Sequence, residues 1–209
     1  MPKEREVLVY TRSDGREPFA QWLRGLRDGK TRNRIRQRIA RVRLGNFGDV
    51  RSVGEGVHEL RIQFGPGFRI YFGHEDDAVV ILLCGGDKST QARDISIAPT
   101  IIGATTGVDL MSKARRYEDV LAEDLKDPVE AAGYLNACLE DGDPEVFLLA
   151  LRDVARAQGG VAKLAEITEL NREHLYRMLS ENGNPELRSL ETLLDALGFR
   201  LAVTLKEAS

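Results

Sequence analysis

The chain has 209 residues, 42% of them hydrophobic and 30% charged, with a formal net charge of −3. That is room for one or two domains with packed cores; no apolar run approaches the ~20 residues of a membrane span, and the charged N-terminus MPKEREVLVY lacks a signal-peptide core. Three histidines and two cysteines show no ligand spacing, so neither a metal nor another cofactor is expected; Cys84 and Cys138, far apart in apolar contexts, read as buried thiols of a cytoplasmic protein.

The net charge conceals a split. Residues 1–110 hold 18 Lys and Arg against 14 Asp and Glu, whereas residues 111–209 hold 12 against 19. A basic half joined to an acidic half implies attraction between the two, or a polyanionic partner for the basic half. Chance asymmetry between two domains would give the same split.

In chain order, Glu6–Tyr10 (EVLVY) reads as a short strand. Glu17–Arg27 places Phe19, Trp22, Leu23 and Leu26 at helical spacing, with Pro18 in the first turn where it is tolerated. Lys30–Leu44 is a second helix with a thin apolar stripe of Ile35, Ile39 and Val42. It carries seven positive charges between Lys30 and Arg43 and no acid. Like charges at i, i+4 cost a few tenths of a kcal/mol per pair, so the pattern points to an external anion. Nucleic acid contacted by Arg34, Arg38 and Arg41 is one reading, an acidic segment of the same chain or simple solubility another. Phe47–Gly56 is glycine-rich and reads as irregular.

Val57–Lys88 organises the first half. Leu60, Ile62 and Phe64 alternate with Glu59, Arg61 and Gln63, and Phe68, Ile70 and Phe72 alternate with Arg69 and Tyr71. That is the period of strands with one buried and one wet face. A three-residue turn at Gly65-Pro66-Gly67 would set Arg61 opposite Tyr71 and Gln63 opposite Arg69, and share two guanidiniums and a phenol on one exposed patch. Val79–Cys84 is continuously apolar, a strand covered on both faces, and ends beside the patch at Lys88. The patch is either a solvated sheet face or a site for a phosphodiester, whose oxygens planar arginines match. His58 shares the parity of the core residues, and His74 lies at a turn beside Glu75-Asp76-Asp77; both read as structural.

Ser89–Ala98 begins a short helix in this reading. Residues 99–112, rich in Thr and Gly, are the expected linker, and Met111-Ser112-Lys113 looks like the start of a separate protein, as if two neighbouring genes were joined. The second unit is helical: Val129–Leu139 after Asp127-Pro128, a helix after Asp143-Pro144 broken at Gly159-Gly160, then Val161–Ile167, Arg172–Leu179 with Asn171 as N-cap, Leu190–Leu197, and a terminal strand at Phe199–Leu205. Two short helices about a tight turn form a helix-turn-helix pattern, with Val161, Leu164 and Ala165 packed on Leu170, Leu175 and Tyr176. Asn171, Arg172, His174 and Arg177 would then reach a DNA major groove. With two arginines on that helix, affinity would lean on a homodimer, for which the terminal strand offers an edge. A plain helical bundle with a polar face is the alternative.

Both halves resemble known families. Residues 1–98 resemble the RelE/ParE superfamily of type II toxins, most closely the HigB-like "addiction module killer protein" branch, through Gly56–Ile62 (GVHELRI), GPGFRIYF at 65–72 and GGDKSTQARDI at 85–95. Residues 113–209 resemble HigA-like helix-turn-helix (XRE-like) antidote proteins, through Asp127-Pro128, Ala131–Leu135, Ala150–Val154, REHLYRMLSENGNPEL at 172–187 and LETLLDALGFRLAV at 190–203. Glu169 stands where that family usually has glycine, and such pairs are usually two chains. The resemblance implies an α+β two-domain chain: two helices packed on an antiparallel sheet, then an all-α domain with a C-terminal strand. It implies that residues 1–98 cleave messenger RNA on the ribosome by attack of the 2′-OH, and that the second half blocks them and represses its own operator DNA. Arg61, Arg69, Tyr71 and Lys88 would be catalytic, with Gln91 and Arg93 positioning RNA; the general base stays open. Inhibition of DNA gyrase by binding, as in ParE-like members, and a DNA-binding regulator with an inactive first half are the alternatives.

Overall fold

The computed structural model describes residues 4–75, 78–90, 114–168, 170–180, 183–203 and 205. Gln91, Arg93, Glu169, the expected linker at 99–112 and all but the first two residues of the Ser89–Ala98 helix lie outside the described residues; Ser89 and Thr90 themselves form a turn.

Alternating and continuous apolar runs give the strands, and proline and aspartate set the helix starts. In the first half these are β1 (Glu6–Tyr10), α1 (Pro18–Gly25), α2 (Gly29–Arg43), β2 (Val50–Gly54), β3 (Val57–Ile62), β4 (Phe68–Glu75) and β5 (Val79–Asp87). In the second half they are β6 (Ala114–Arg116), α3 (Tyr117–Asp124), α4 (Pro128–Glu140), α5 (Pro144–Ala157), α6 (Gly160–Thr168), α7 (Arg172–Met178) and α8 (Leu187–Ala196). The Asp28 carboxylate caps α2 by accepting from Lys30 N and Thr31 N. Asp127 and Asp143 likewise cap α4 and α5, each followed by a proline at the first helical position, which needs no donor.

The strands form one mixed, largely antiparallel sheet in the order β2-β3-β4-β5-β1-β6. β1 lies parallel to β5, and β6 runs antiparallel to β1, so a strand from the second half completes the sheet of the first. One face carries Val7, Val9, Leu60, Ile70, Phe72 and Leu82 against α1 and α2, and this core continues without a break through Leu121, Tyr134 and Leu149 to Leu194. The other face holds a smaller cluster of Leu8, Tyr10, Val57, Tyr71, Ile81, Leu83 and Cys84. Both cysteines are buried free thiols.

Four expectations fail. Residues 50–54 of the supposedly irregular stretch pair with β3 as a strand, although their side chains are mostly exposed and give little apolar signal. The turn between β3 and β4 takes five residues: Phe64 N donates to Ile62 O, and Gly67 N to Phe64 O, with Gly65 and Gly67 both at positive φ. Register therefore slips by two, so that Arg61 faces Arg69, Glu59 faces Tyr71 and Ile62 faces Phe68. Tyr176 is 62% exposed rather than packed inside, because Leu175 and Met178 already fill the inward face of α7. The expected terminal strand is absent among the described residues of 199–205, where Val203 and Leu205 are fully exposed and meet no partner strand.

Gly85 on β5 is packed under Trp22 of α1, and a Cβ there would collide with the indole ring. Overpacking of this kind costs about 1–3 kcal/mol. Gly85→Ala should lower the denaturant midpoint accordingly, and a Trp22→Leu background should recover part of the loss.

Candidate functional site

Two arginine-rich surfaces stand out, one on the sheet and one on α2. On the sheet, the pleat of β3 and β4 sends Glu59, Arg61, Arg69 and Tyr71 to the face away from the helices. Glu59 is 0% exposed and sits at their centre. Its carboxylate accepts from Arg61 Nε at 2.7 Å and from the Tyr71 hydroxyl at 3.2 Å, and lies 3.4 Å from Arg69 Nε. Tyr71 is also 0% exposed, which corrects the expectation of a phenol on a wet patch: the smaller core cluster covers this face around it. Arg61 and Arg69 keep 33% and 14% of their side chains exposed.

Cross-strand like charges repel, and the shared carboxylate offsets that repulsion. The turn brings Lys88 to the same end of the sheet, where its backbone N–H donates to Gly67 O and its residue is exposed. Asp87 orders this corner by accepting from Ser89 N, Ser89 Oγ and Thr90 N. Arg61 and Arg69 are thus brought together, with the Lys88 backbone at the same end of the sheet. Sequence reasoning gave Glu59 no role; its place two residues before Arg61, on the same face of β3, was the available signal, while its pairing with Tyr71 follows only from the observed register.

On α2, five of the seven cations meet carboxylates of the second half. Arg32 and Arg36 grip Glu130, and Arg36 also reaches Asp124 at 3.0 Å. Arg34 pairs with Glu140 at 3.0 Å and Arg41 with Asp141 at 2.9 Å. Arg43 bonds Asp153 at 2.6 Å and Glu118 at 3.0 Å, and the Tyr134 hydroxyl donates to the same Asp153. Arg38 is turned instead to the carbonyls of Asn46 and Phe47. The helices come close enough that a Cβ on Gly133 of α4 would strike Asn33 of α2. Burial pulls the Arg43 guanidinium down, and the Asp153 charge outweighs it, so its affinity for the proton rises. Burial pushes Glu118 and Glu130 up, and their arginine partners outweigh it, holding both carboxyls below the ordinary glutamate range.

In the second half, Asn171 caps α7 by accepting from Glu173 N. Arg172, Glu173 and Arg177 are exposed and His174 is half-buried, bonded to Ser189 Oγ and Arg177. Asn171, Arg172 and Arg177 therefore share the outer surface of the α6–α7 pair. Among the described residues no three His, Cys, Asp or Glu side chains are grouped as a metal site, and no helix is long and apolar enough to cross a membrane.

Residues 116–205 match the family model described as "Probable addiction module antidote protein". An uncharacterized protein of Haemophilus influenzae is 49% identical over 80 residues, which are 38% of this chain and 81% of the relative. A second uncharacterized protein of the same organism is 35% identical over 83 residues, 40% of this chain and 84% of the relative. No solved structure matches.

Two outcomes follow from the charges. Glu118 and Glu130 ionise more readily folded than unfolded, so their contribution is present above the ordinary value of 4.5 and lost as pH falls through the lower folded values. The denaturant midpoint should hold steady from neutral pH to about 5 and drop below it, and Glu130→Gln should flatten that drop. Glu59→Ala strands two arginines and should cost about 3 kcal/mol in unfolding free energy, with Glu59→Gln costing less.

Proposed function

Because this chain belongs, through residues 116–205, to the family of probable addiction module antidote proteins, we propose that it is a toxin–antitoxin module in one chain. In this reading residues 1–98 are a RelE/HigB-like messenger RNA endoribonuclease, and the HigA-like second half holds it inactive. The observation that carries the reading is the row of antidote-half carboxylates seated on α2. Asp124, Glu130, Glu140 and Asp141 occupy guanidiniums that would otherwise face an RNA backbone. An antidote needs a toxin partner, and the basic half supplies one.

The chemistry assigned to the sheet face is transesterification. The RNA 2′-OH loses its proton and attacks the adjacent phosphorus, the bond to the 5′-oxygen breaks, and that oxygen takes up a proton, leaving a cyclic phosphate and a 5′-hydroxyl. Arg61 and Arg69 would stabilise charge on the phosphorane oxygens, where fixed cations are most effective. Lys88 would serve as a further cation or proton donor. Glu59 positions both guanidiniums, and the buried Tyr71 acts through Glu59 rather than by stacking on a base. Arg34 and Arg41 would bind RNA once the second half withdraws, and Arg38 would join them by leaving the carbonyls of Asn46 and Phe47. The α6–α7 pair would meet operator DNA through Asn171, Arg172, His174 and Arg177, as a dimer through the exposed segment after α8. One observation favours a second reading, a DNA-binding regulator with an inactive first half: Arg61 and Arg69 share one buried carboxylate, which partly neutralises both.

The full chain should be tolerated on induction. Glu130→Arg combined with Asp124→Arg should set like charges against Arg32 and Arg36, arrest growth and cut translated messenger RNA. Adding Arg69→Ala should slow that cleavage about 100-fold and restore growth. Intact messenger RNA in the charge-reversed chain, with the first-half sheet still folded by circular dichroism and histidine signals, would favour the regulator.

A further inference from the structure

In the second half, three side chains from two helices form a hydrogen-bonded relay. Ser189 Oγ of α8 lies 3.3 Å from His174 Nε2 of α7, and His174 Nδ1 lies 3.2 Å from Arg177 Nη2, on the next turn of the same helix. The direction of the relay follows from its donors. A guanidinium only donates, so Nδ1 accepts and carries no proton. The neutral ring then keeps its proton on Nε2 and donates it to the serine oxygen. His174 is half-buried, whereas Arg177 at the end of the relay is exposed.

Arg177 has no carboxylate partner among the described residues. Arg172, at the start of α7, already has Glu166 of α6 4.0 Å away. Fixing a long side chain on binding costs conformational entropy, and the relay meets part of that cost before any partner arrives. The His174 contact occupies one N–H of Nη2 and leaves the other donors of the guanidinium as a planar fork. In the major groove such a fork matches the O6 and N7 acceptors of guanine. A phosphate contact carries no sequence information and is served by a point charge. A guanidinium whose orientation is set by a neutral acceptor on its own helix suits the base edge better.

We propose that Arg177 reads a guanine in the DNA major groove, and that His174 and Ser189 are positioning residues that hold its guanidinium for that contact. This rests on the reading of the α6–α7 pair as a DNA-binding unit; it names the base recognised and has His174 act through Arg177.

The test uses the full chain and a random duplex library, from which bound DNA is selected and sequenced. The selected site should contain a guanine whose replacement by 7-deazaguanine, which pairs normally but lacks the N7 acceptor, weakens binding about tenfold. Arg177→Ala should bind the site at least that much more weakly and lose nothing further with 7-deazaguanine. His174→Leu leaves Arg177 in place without its acceptor and should lose most of the N7 dependence, with Ser189→Ala losing part of it. His174→Asn restores an acceptor at the δ position and should regain it, a separation that a merely structural role would not produce. Denaturant midpoints check that each variant is folded, and the ring-nitrogen NMR signals of His174 in the unbound chain should place its proton on Nε2. A selected site bound without N7 dependence, or with a dependence that His174→Leu leaves intact, would overturn the assignment while DNA binding stands. No selected site at all would sink the DNA-binding reading and this assignment with it.

Discussion

Arg43 is the residue on which the arrangement of the two halves turns. A guanidinium cannot shed its proton in a protein interior, so a buried one must be answered by an anion with good geometry. Its partners come from the second half: Asp153 on α5 and Glu118 on α3, with Tyr134 of α4 bonded to the same Asp153. Three helices are thereby fixed against the end of α2. Arg36, 1% exposed in the middle of α2, adds a second buried anchor on Glu130 and Asp124, whereas the more exposed pairs Arg34–Glu140 and Arg41–Asp141 are individually weak, since exposed ion pairs contribute about 0–1 kcal/mol each. The seam is held by its two buried arginines, Arg36 and Arg43, and aligned between and beyond them by the exposed pairs.

The sheet face shows the reverse economy of charge. There the cations are local and a buried anion, Glu59, is central. Glu59 stands between two arginines that the β3–β4 register forces opposite one another. Both surfaces present guanidiniums in a row, but only α2 has its row covered by carboxylates from the second half. Arg61 and Arg69 are ordered from beneath, by a residue of their own sheet.

Much of this was legible from residue order. Proline and aspartate fixed the starts of α1, α4 and α5 to within a residue or two, the apolar stripe placed α2, and strand periodicity placed β1, β3, β4 and β5. The α2 charge run was recognised as an unmet demand for an anion, but sequence carries no information on which anion docks when it lies some hundred residues away; Arg32 and Glu130 are 98 residues apart. The β3–β4 register was misread because alternation is satisfied equally by shifts of two. Only Phe64, drawn into the turn under Arg34, breaks the tie. Tyr176 was assigned inward by type, whereas the inner face of a seven-residue helix has room for Leu175 and Met178 alone. β6 is three residues long with two arginines, and nothing in its composition announces a strand.

The order in which the chain is made gives β6 a temporal meaning. A ribosome emits residues at about 5–20 per second, so α2 and β1 emerge roughly 5–20 s before the segments that cover them. During that interval the β1 edge has no antiparallel neighbour, and the arginines of α2 have only solvent. Nascent chains on one polysome would carry the uncovered half, so chaperone dependence and co-translational misassembly are concentrated in that interval rather than in the finished protein.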